Sequence, residues 1–383
     1  MLVPKLRFKE FNDEWQLKKL GRLVDIKRGA SPRPINKYIT SNDNGVNWIK
    51  IGDVSTDDMY INSTKEKITI EGAKKSRAVH KGDLILSNSM SFGRPYILNI
   101  DGYIHDGWLL ISNYSSYFYI NFLVELLSSQ YMKSQYIKLS AGSTVLNLNS
   151  DLVASTLVPV PSLEEQTKIA NFLSLIDRKI ELQEKLVENL KLYKKGLLKK
   201  VFSNNQGWKS AKLGDICEIV MGQSPNSENY NNTNKGMPLI QGNADIFNRK
   251  TNPKNYTTQI TKTCDIGDIL ISVRAPVGNV AISNHYACIG RGMCKLLTKL
   301  NKKYIYQYLL AYENCWDKIS QGSTFQSISS SDIYNFIVKY PSIEEQNRIA
   351  NLFTSLDKKI ELETKKLQDL KTYKKGLLQK MFI

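Results

Sequence analysis

A segment of 42 residues recurs in this chain in closely similar form. The segment from Pro161-Ser-Leu-Glu-Glu-Gln to Lys-Lys-Val-Phe202 matches the segment from Pro341-Ser-Ile-Glu-Glu-Gln to Gln-Lys-Met-Phe382 at a constant offset of 180, without a gap. Identical residues fill 24 of the 42 positions, and Tyr193-Lys-Lys-Gly-Leu-Leu198 recurs unchanged at 373–378. Such a repeat constrains the fold strongly: whatever surface the first copy leaves unburied, the second leaves as well, so the copies offer each other matching faces.

Fainter echoes cover the rest of the chain. Trp15, Leu20-Gly21, Gly29 and Ser31-Pro32 recur in order as Trp208, Leu213-Gly214, Gly222 and Ser224-Pro225. Gly82-Asp83-Leu-Ile-Leu-Ser87 returns as Gly267-Asp268-Ile-Leu-Ile-Ser272, and Gly142-Ser143-Thr144 as Gly322-Ser323-Thr324. Between the echoes the two halves differ widely. The chain therefore divides into a variable domain (1–160), a repeated helix (161–202), a second variable domain (203–340) and a second repeated helix (341–383). A length of 383 residues suits two or three domains. The residues expected after Phe382, by analogy with Ser203 to Trp208, instead begin the chain near Glu10 to Trp15. This closure predicts a circular, pseudo-two-fold arrangement.

Both repeated segments open with Ser-x-x-Glu, as Ser162/Glu165 and Ser342/Glu345, which predicts a capping box at a helix start. Apolar residues then alternate in steps of four and three. The first seam is Ile169, Leu173, Ile176, Ile180, Val187, Leu190 and Leu197; the second is Ile349, Phe353, Leu356, Ile360, Leu367, Leu370 and Leu377. Two seam positions are polar in both copies, Gln183/Glu363 and Lys194/Lys374. A 3.5-residue period held for more than five heptads predicts a coiled-coil helix of roughly 60 Å. Neither helix buries its seam alone, so the two are expected to pair antiparallel.

In the variable regions, short runs such as Trp48-Ile-Lys-Ile51, Leu84-Ile-Leu86, Tyr96-Ile-Leu98, Ile269-Leu-Ile271 and Val277-Gly-Asn-Val280 predict strands. Each region carries one aromatic-rich helix, 117–139 and 303–320, leading into its Gly-Ser-Thr loop. The fold class expected is α+β, with a mixed or antiparallel sheet in each domain.

The net charge of +17 favours polyanionic partners, although a generically basic protein has the same balance. The charge is distributed as +5, +3, +6 and +3 over the four segments, so both variable domains are basic. Their loops hold side chains suited to DNA. Arg and Lys pair with guanine, Asn and Gln with adenine, and Ser and Thr position phosphates. The candidates are Lys27, Arg28, Ser31, Arg33, Lys50, Asn88, Arg94, Ser143 and Thr144 in the first domain. In the second they are Gln223, Ser224, Asn226, Gln241, Asn243, Arg274, Arg291, Ser323, Thr324 and Gln326. Any one of them also suits an ordinary polar loop; the set recurring at equivalent places is the stronger signal.

Motifs for catalysis are missing from the sequence. There is no (D/N)-P-P-(Y/F), no cofactor-binding glycine motif, no G-x-x-x-x-G-K-[ST], no H-E-x-x-H and no G-x-S-x-G. Glu181-Leu-Gln-Glu184-Lys185 imitates part of a nuclease site but falls within the heptads, where surface pairing explains it. The Gly-Asp pairs read as turns entering strands. The five cysteines include no C-x-x-C and, with three histidines, predict reduced thiols and no metal site. No run of about 18 apolar residues and no signal-peptide pattern occurs, so a cytoplasmic protein without a membrane span is expected.

Two variable domains, each followed by a long helix opening PSxEEQ and ending KKGLLxxxF, resemble the specificity subunits of type I restriction-modification enzymes. The W…KLG start, the GD-[LI]-[LI]-[LI]-S run and the GST loop fit the target-recognition domains of that family. The resemblance covers the whole chain. It implies that each domain reads one half of a bipartite target in double-stranded DNA and that the helices set the spacing. It also implies two modification subunits that methylate adenine N6 with S-adenosylmethionine, held on the repeated helices, and two restriction subunits that require ATP and magnesium. Every catalytic residue would then lie on another chain. Three other readings are a stand-alone sequence-specific DNA-binding protein, a coiled-coil scaffold with protein-binding domains, and an RNA-binding module.

Overall fold

The Gly-Asp turns show how each domain is built. Gly82 and Gly267 adopt φ of +94° and +88°, a region that glycine enters without a Cβ penalty. Asp83 and Asp268 then fold back to accept the backbone N–H groups of His80 and Asp265 at 2.8 and 2.9 Å. Each turn delivers a strand whose four residues are all buried, Leu84–Ser87 and Ile269–Ser272. A strand buried on both faces needs cover on both sides, and each domain supplies a second sheet and a helix.

The structure, a computed structural model, describes residues 3–54, 59–89, 92–140, 147–319 and 327–382. It comprises two α+β units, Met1–Leu182 with Leu367–Ile383, and Gln183–Lys366. The first unit holds a five-stranded sheet in the order Asp25–Arg28, Trp108–Ser112, Leu84–Ser87, Pro95–Leu98, Tyr60–Ile61. A second sheet follows the order Ile39–Thr40, Glu66–Ile68, Val46–Ile49, Gly102–Ile104, Arg77–Val79. The second unit repeats both orders. Its first sheet runs Cys217–Met221, Met293–Thr298, Ile269–Ser272, Val280–Ile282, Lys250–Thr251 and adds Ile246–Phe247 at the edge. Its second runs Tyr230–Asn231, Asn255–Thr257, Met237–Ile240, Ala287–Ile289, Thr263–Cys264. All four sheets are mixed, with one parallel pairing each. In each unit the strand after the entry tryptophan pairs antiparallel with the strand before the long helix: Gln16–Lys19 with Leu157–Val160, and Lys209–Lys212 with Ile337–Tyr340.

The long helices span Leu163–Ser203 and Ile343–Met381, and each begins in one unit and ends in the other. In the first unit Ile169, Leu173 and Ile176 share a core with Leu377, Met381 and Phe382. In the second, Leu198 and Phe202 share one with Ile349 and Phe353. Early residues of one helix thus pack on late residues of the other, which is antiparallel pairing in both units. Every seam residue named above is buried or half-buried.

The repeated glutamine of PSxEEQ ties each domain to its helix. Gln166 accepts the N–H of Tyr119 at 3.0 Å and donates to the Tyr117 and Pro161 carbonyls. Gln346 accepts the N–H of Asn301 at 3.1 Å and donates to the Pro341 carbonyl. The polar seam lysines complete the junction. Lys374 donates to Asp177 at 2.7 Å and to buried Glu125 at 2.9 Å. At the equivalent place Lys194 donates to Asp357 at 2.5 Å, and Gln307 donates to the other oxygen of Asp357 at 2.8 Å.

Four expectations need correction. The predicted helix over 117–139 is two helices, Ile120–Ser128 and Gln130–Ser140. Ser129 is extended between them, and its hydroxyl accepts the Met132 N–H, as a serine cap does. The helix over 303–320 ends at Ala311 and resumes as Trp316–Ile319, because Glu313 turns aside to accept the Val280 N–H and pair with Arg249. The run Val277-Gly-Asn-Val280 is mostly a turn, in which Gly278 at φ +78° donates to the Ser272 carbonyl. Only the serine half of the capping box forms in each repeat: Ser162 and Ser342 accept from Glu165 and Glu345. The Glu165 carboxylate is claimed by Arg7, at 2.7 and 2.8 Å, and by the Trp15 indole at 3.0 Å.

The five cysteines are free thiols, and burial pushes Cys294 up to about 12. Among the described residues no helix is long and apolar enough to cross a membrane.

The Lys374 junction has one ammonium facing two carboxylates. Burial pushes the Glu125 carboxyl above its ordinary value, while the two carboxylates hold Lys374 up. Lys374→Ala leaves a buried carboxylate without its cation and is expected to destabilise the first unit by about 3 kcal/mol or more. Adding Glu125→Gln, the residue type already present at Gln307, is expected to recover much of that loss in thermal unfolding. The sign with pH is also set. A carboxyl raised in the folded state contributes stability below its ordinary value of 4.5 and loses it as pH rises through its folded value. The stability of the wild type relative to Glu125→Gln is therefore expected to fall as pH rises above 4.5; a pH-independent difference would contradict it.

Candidate nucleic-acid interface

Close backbone packing at one end of each domain gathers several loops. In the first unit Gly29 donates to the Trp108 carbonyl at 2.8 Å and Ala30 to the Ile104 carbonyl. A Cβ on Gly29 would lie 2.0 Å from the His105 carbonyl oxygen, so only glycine permits the approach. In the second unit Gly222 donates to the Met293 carbonyl at 2.9 Å and Gln223 to the Ile289 carbonyl; a Cβ there would lie 2.2 Å from the Gly290 oxygen. The strand-exit loops join the same clusters. Asn88 donates to the Gly107 carbonyl, and Val273 to the Gly292 carbonyl, both at 2.9 Å. Two further bonds, His105 to the Ile49 carbonyl and Gly290 to the Ile240 carbonyl, bring in the loops that hold Lys50 and Gln241. Capping aspartates shape those loops: Asp53 accepts the Lys50 N–H, and Asp245 the Gln241 N–H.

In the first domain this geometry unites Arg28, Ser31, Arg33, Lys50 and Asn88 around the 105–107 turn. The centre is Asp106, absent from the sequence-based candidates. The Ser31 hydroxyl donates to its carboxylate at 2.6 Å, and Arg33 lies 3.6 Å from the other oxygen. The Arg28 guanidinium and the Asn88 amide both donate to the Asp106 carbonyl, at 3.0 and 2.8 Å. The Ser31 bond, and to a smaller extent nearby positive groups, hold the Asp106 carboxyl below its usual range. The neighbouring His105 ring packs against Trp48 and Trp108, and burial lowers its pKa.

Not every candidate is free to reach a partner. Asn88 is buried, and its amide is spent on the backbone. Lys50 pairs with Glu66 at 2.5 Å. Arg94 sits over the Tyr96 ring at 5.5 Å. Lys27 is exposed on the Asp25–Arg28 strand.

The second domain brings Gln223, Ser224, Gln241, Asn243 and Arg291 together, with Arg274 in the next loop. The Ser224 hydroxyl accepts the Arg291 N–H at 3.0 Å. The Asn243 oxygen accepts from Asn279 at 2.8 Å. Asn226 is turned toward Gln259, which accepts its N–H at 2.7 Å. Arg274 and Arg291 are exposed. Ser143, Thr144, Ser323, Thr324 and Gln326 lie outside the described residues.

The two domains thus offer the same platform with different side chains. Both present exposed cations beside hydroxyl and amide groups, a combination suited to nucleic acid. The signal for Asp106 was present in the sequence as an echo: Ile104-His-Asp-Gly107 parallels Ile289-Gly-Arg-Gly292. Its flanking isoleucine and glycine mark the same turn, but the central residues differ so much that the match is faint.

Comparison with known proteins agrees with this layout. A family model described as the type I restriction modification DNA specificity domain matches twice, over residues 12–192 and 205–372. The putative type I restriction enzyme MjaX specificity subunit of Methanocaldococcus jannaschii is 28% identical, over 96% of this chain and 93% of its own length. The MjaIX specificity subunit of the same organism is 25% identical over 96% and 92%. A solved chain from work on complex assembly and conformational transition of a type I R-M system superposes with a TM-score of 0.68 at 25% identity, covering 96% of this chain and 97% of that one. The type I restriction-modification S subunit from M. genitalium shares the fold, with a TM-score of 0.59 at 18% identity over 100% and 99%. With two matched domains, the duplicated topology and the paired repeat helices, this chain belongs to the type I restriction-modification DNA specificity family.

Proposed function

We propose that this chain is the sequence-reading subunit of a type I restriction-modification complex and performs no catalysis itself. Each domain reads one half of a bipartite, asymmetric target in double-stranded DNA. The observation that carries this reading is the pair of loop clusters: the scaffold is the same in both, and the exposed side chains differ. A duplicated scaffold with divergent tips suits a split target with two different halves.

Chemistry then resides on partner chains. Two modification subunits, docked on the repeated helices, methylate adenine N6 with S-adenosylmethionine. Two restriction subunits use ATP and magnesium to cut DNA away from the site. This chain's own residues fit none of those groups: the sequence lacks the nucleotide and methyltransferase motifs. Among the described residues no group of three His, Cys, Asp or Glu side chains is placed to hold a metal ion. A cytoplasmic site of action follows from the DNA substrate.

Two outcomes are expected. Exchanging residues 1–158 for the corresponding domain of another member, with the modification subunit co-expressed, changes one half of the methylated sequence and leaves the other intact. Methylome sequencing reads both halves at once, and a change in both or in neither rules out independent readers. The second concerns spacing. Seven residues inserted after Lys185, matched by seven after Lys365, preserve the seam phase in both helices. They are expected to lengthen the permitted spacer, by at most about three base pairs at 1.5 Å per residue and 3.4 Å per base pair, without altering either half-site. An unchanged spacer would remove the helices' role as a ruler.

A further inference from the structure

Asp106 and Arg291 occupy the same place in the two domains. Each follows a buried isoleucine strand and precedes a glycine, and in each the backbone N–H is held by the serine hydroxyl of the first loop. Asp106 donates to Ser31 at 3.3 Å, and Arg291 to Ser224 at 3.0 Å. Both turns are fixed by the same glycine clamp, Gly29 to Trp108 and Gly222 to Met293. The side chains differ in charge and in hydrogen-bonding character. An ionised carboxylate only accepts, and a guanidinium only donates.

The acid is the unexpected member. A carboxylate on a surface that meets a polyanion is repelled by phosphate, and the cost persists unless the carboxylate meets a donor. Asp106 keeps its charge, since Ser31 and the adjacent positive groups hold its carboxyl low. Its side chain remains 41% exposed, and Arg33, the cation beside its second oxygen, is 83% exposed and free to swing toward DNA. In the major groove the donors available to such an acceptor are the amino groups of cytosine N4 and adenine N6. A guanidinium in the same place matches guanine O6 and N7.

We propose that Asp106 and Arg291 are equivalent specificity-determining residues, with Asp106 selecting an amino-bearing base, cytosine or adenine, and Arg291 selecting guanine. This rests on the reading of the two domains as DNA readers. Positions 106 and 291 then carry opposite instructions on one scaffold, which is how a duplicated domain comes to read two unlike half-sites.

The test uses the full-length chain co-expressed with its modification subunit, with methylome sequencing as the readout. Asp106→Asn is expected to relax or change one base position in one half-site, with discrimination there falling on the order of tenfold. Arg291→Gln is expected to lower the preference for guanine at one position of the other half-site by a similar factor. The untouched half-site and the spacer serve as internal controls in each variant. A merely structural role for Asp106 would lower methylation at every site and leave the motif unchanged, and that result overturns the assignment. Should Asp106→Asn yield no methylation, Arg291→Gln decides: its side chain is exposed, so its loss leaves the turn intact, and an unaltered motif there overturns the proposal. A wild-type methylome without a bipartite motif would sink the reading of the domains as DNA readers. A bipartite motif unmoved by either variant would sink only this inference.

Discussion

A helix of 41 residues with an apolar stripe along one side cannot bury that stripe by itself, and the second repeat creates a 39-residue helix with the same need. Antiparallel pairing answers both. Isolated helices owe little to intrinsic propensity and much to the packing of an apolar face, so the seam is what makes these elements persist. Its ends are also where the domains are built. Leu377, Met381 and Phe382 join the first domain's core, with Phe382 lying against Phe122. Phe202 stacks on Phe353 and meets Tyr304 and Tyr308 edge-on in the second. Seam and domain cores are therefore continuous within each unit, and a seam mutation near a helix end acts on a domain.

The polar seam residues add direction to this packing. An apolar stripe alone tolerates slippage by a heptad, whereas Lys374 to Asp177 and Lys194 to Asp357 satisfy their charges in one register. Gln183, which bonds both the backbone and the carboxylate of Glu363, acts in the same way. A polar group at a seam position costs stability and specifies alignment. The two junctions reach this in different ways. Glu125 makes the first a three-charge cluster, while Gln307 makes the second a single ion pair with a neutral third partner. The neutral version leaves the Gln307 oxygen buried without a hydrogen-bond partner, so neither solution is free of cost.

The parts of this architecture that were legible in the sequence are those governed by period and repetition. The heptads located both long helices, and the Gly-Asp echo located the central strand of each domain. The strand orders were not legible, because many strands are two or three residues long and owe their existence to neighbours rather than to propensity. The break at Ser129 was missed for a related reason: the apolar pattern runs across it, and only the serine cap interrupts the backbone. Glu165 shows the limit of motif reading. Its sequence context specifies a capping box, yet a distant arginine and tryptophan compete successfully for its carboxylate. Among the candidate DNA contacts, residue type alone could not separate exposed Arg33 from buried Asn88, since both stand in polar loops.

A platform that must be rigid and a tip that must vary place opposite demands on neighbouring residues. The rigid part is backbone: the bonds from Gly29 and Gly222 across to the facing strands involve no side chain, and glycine is required there by the approach distance. Ser31 and Ser224 hold the turn through its backbone N–H in both domains, and in the first the Ser31 hydroxyl also donates to the Asp106 carboxylate. The exposed Arg291 side chain takes no part in holding its turn, whereas the Asp106 carboxylate adds the Ser31 hydroxyl to the same backbone frame. With an acid in one domain and a base in the other, the two exposed surfaces differ while the backbone bonds that frame them are the same. That separation suits two domains of one topology to unlike half-sites, and it is why the proposal places specificity at the residues framed by these bonds rather than at the most basic stretches of each loop.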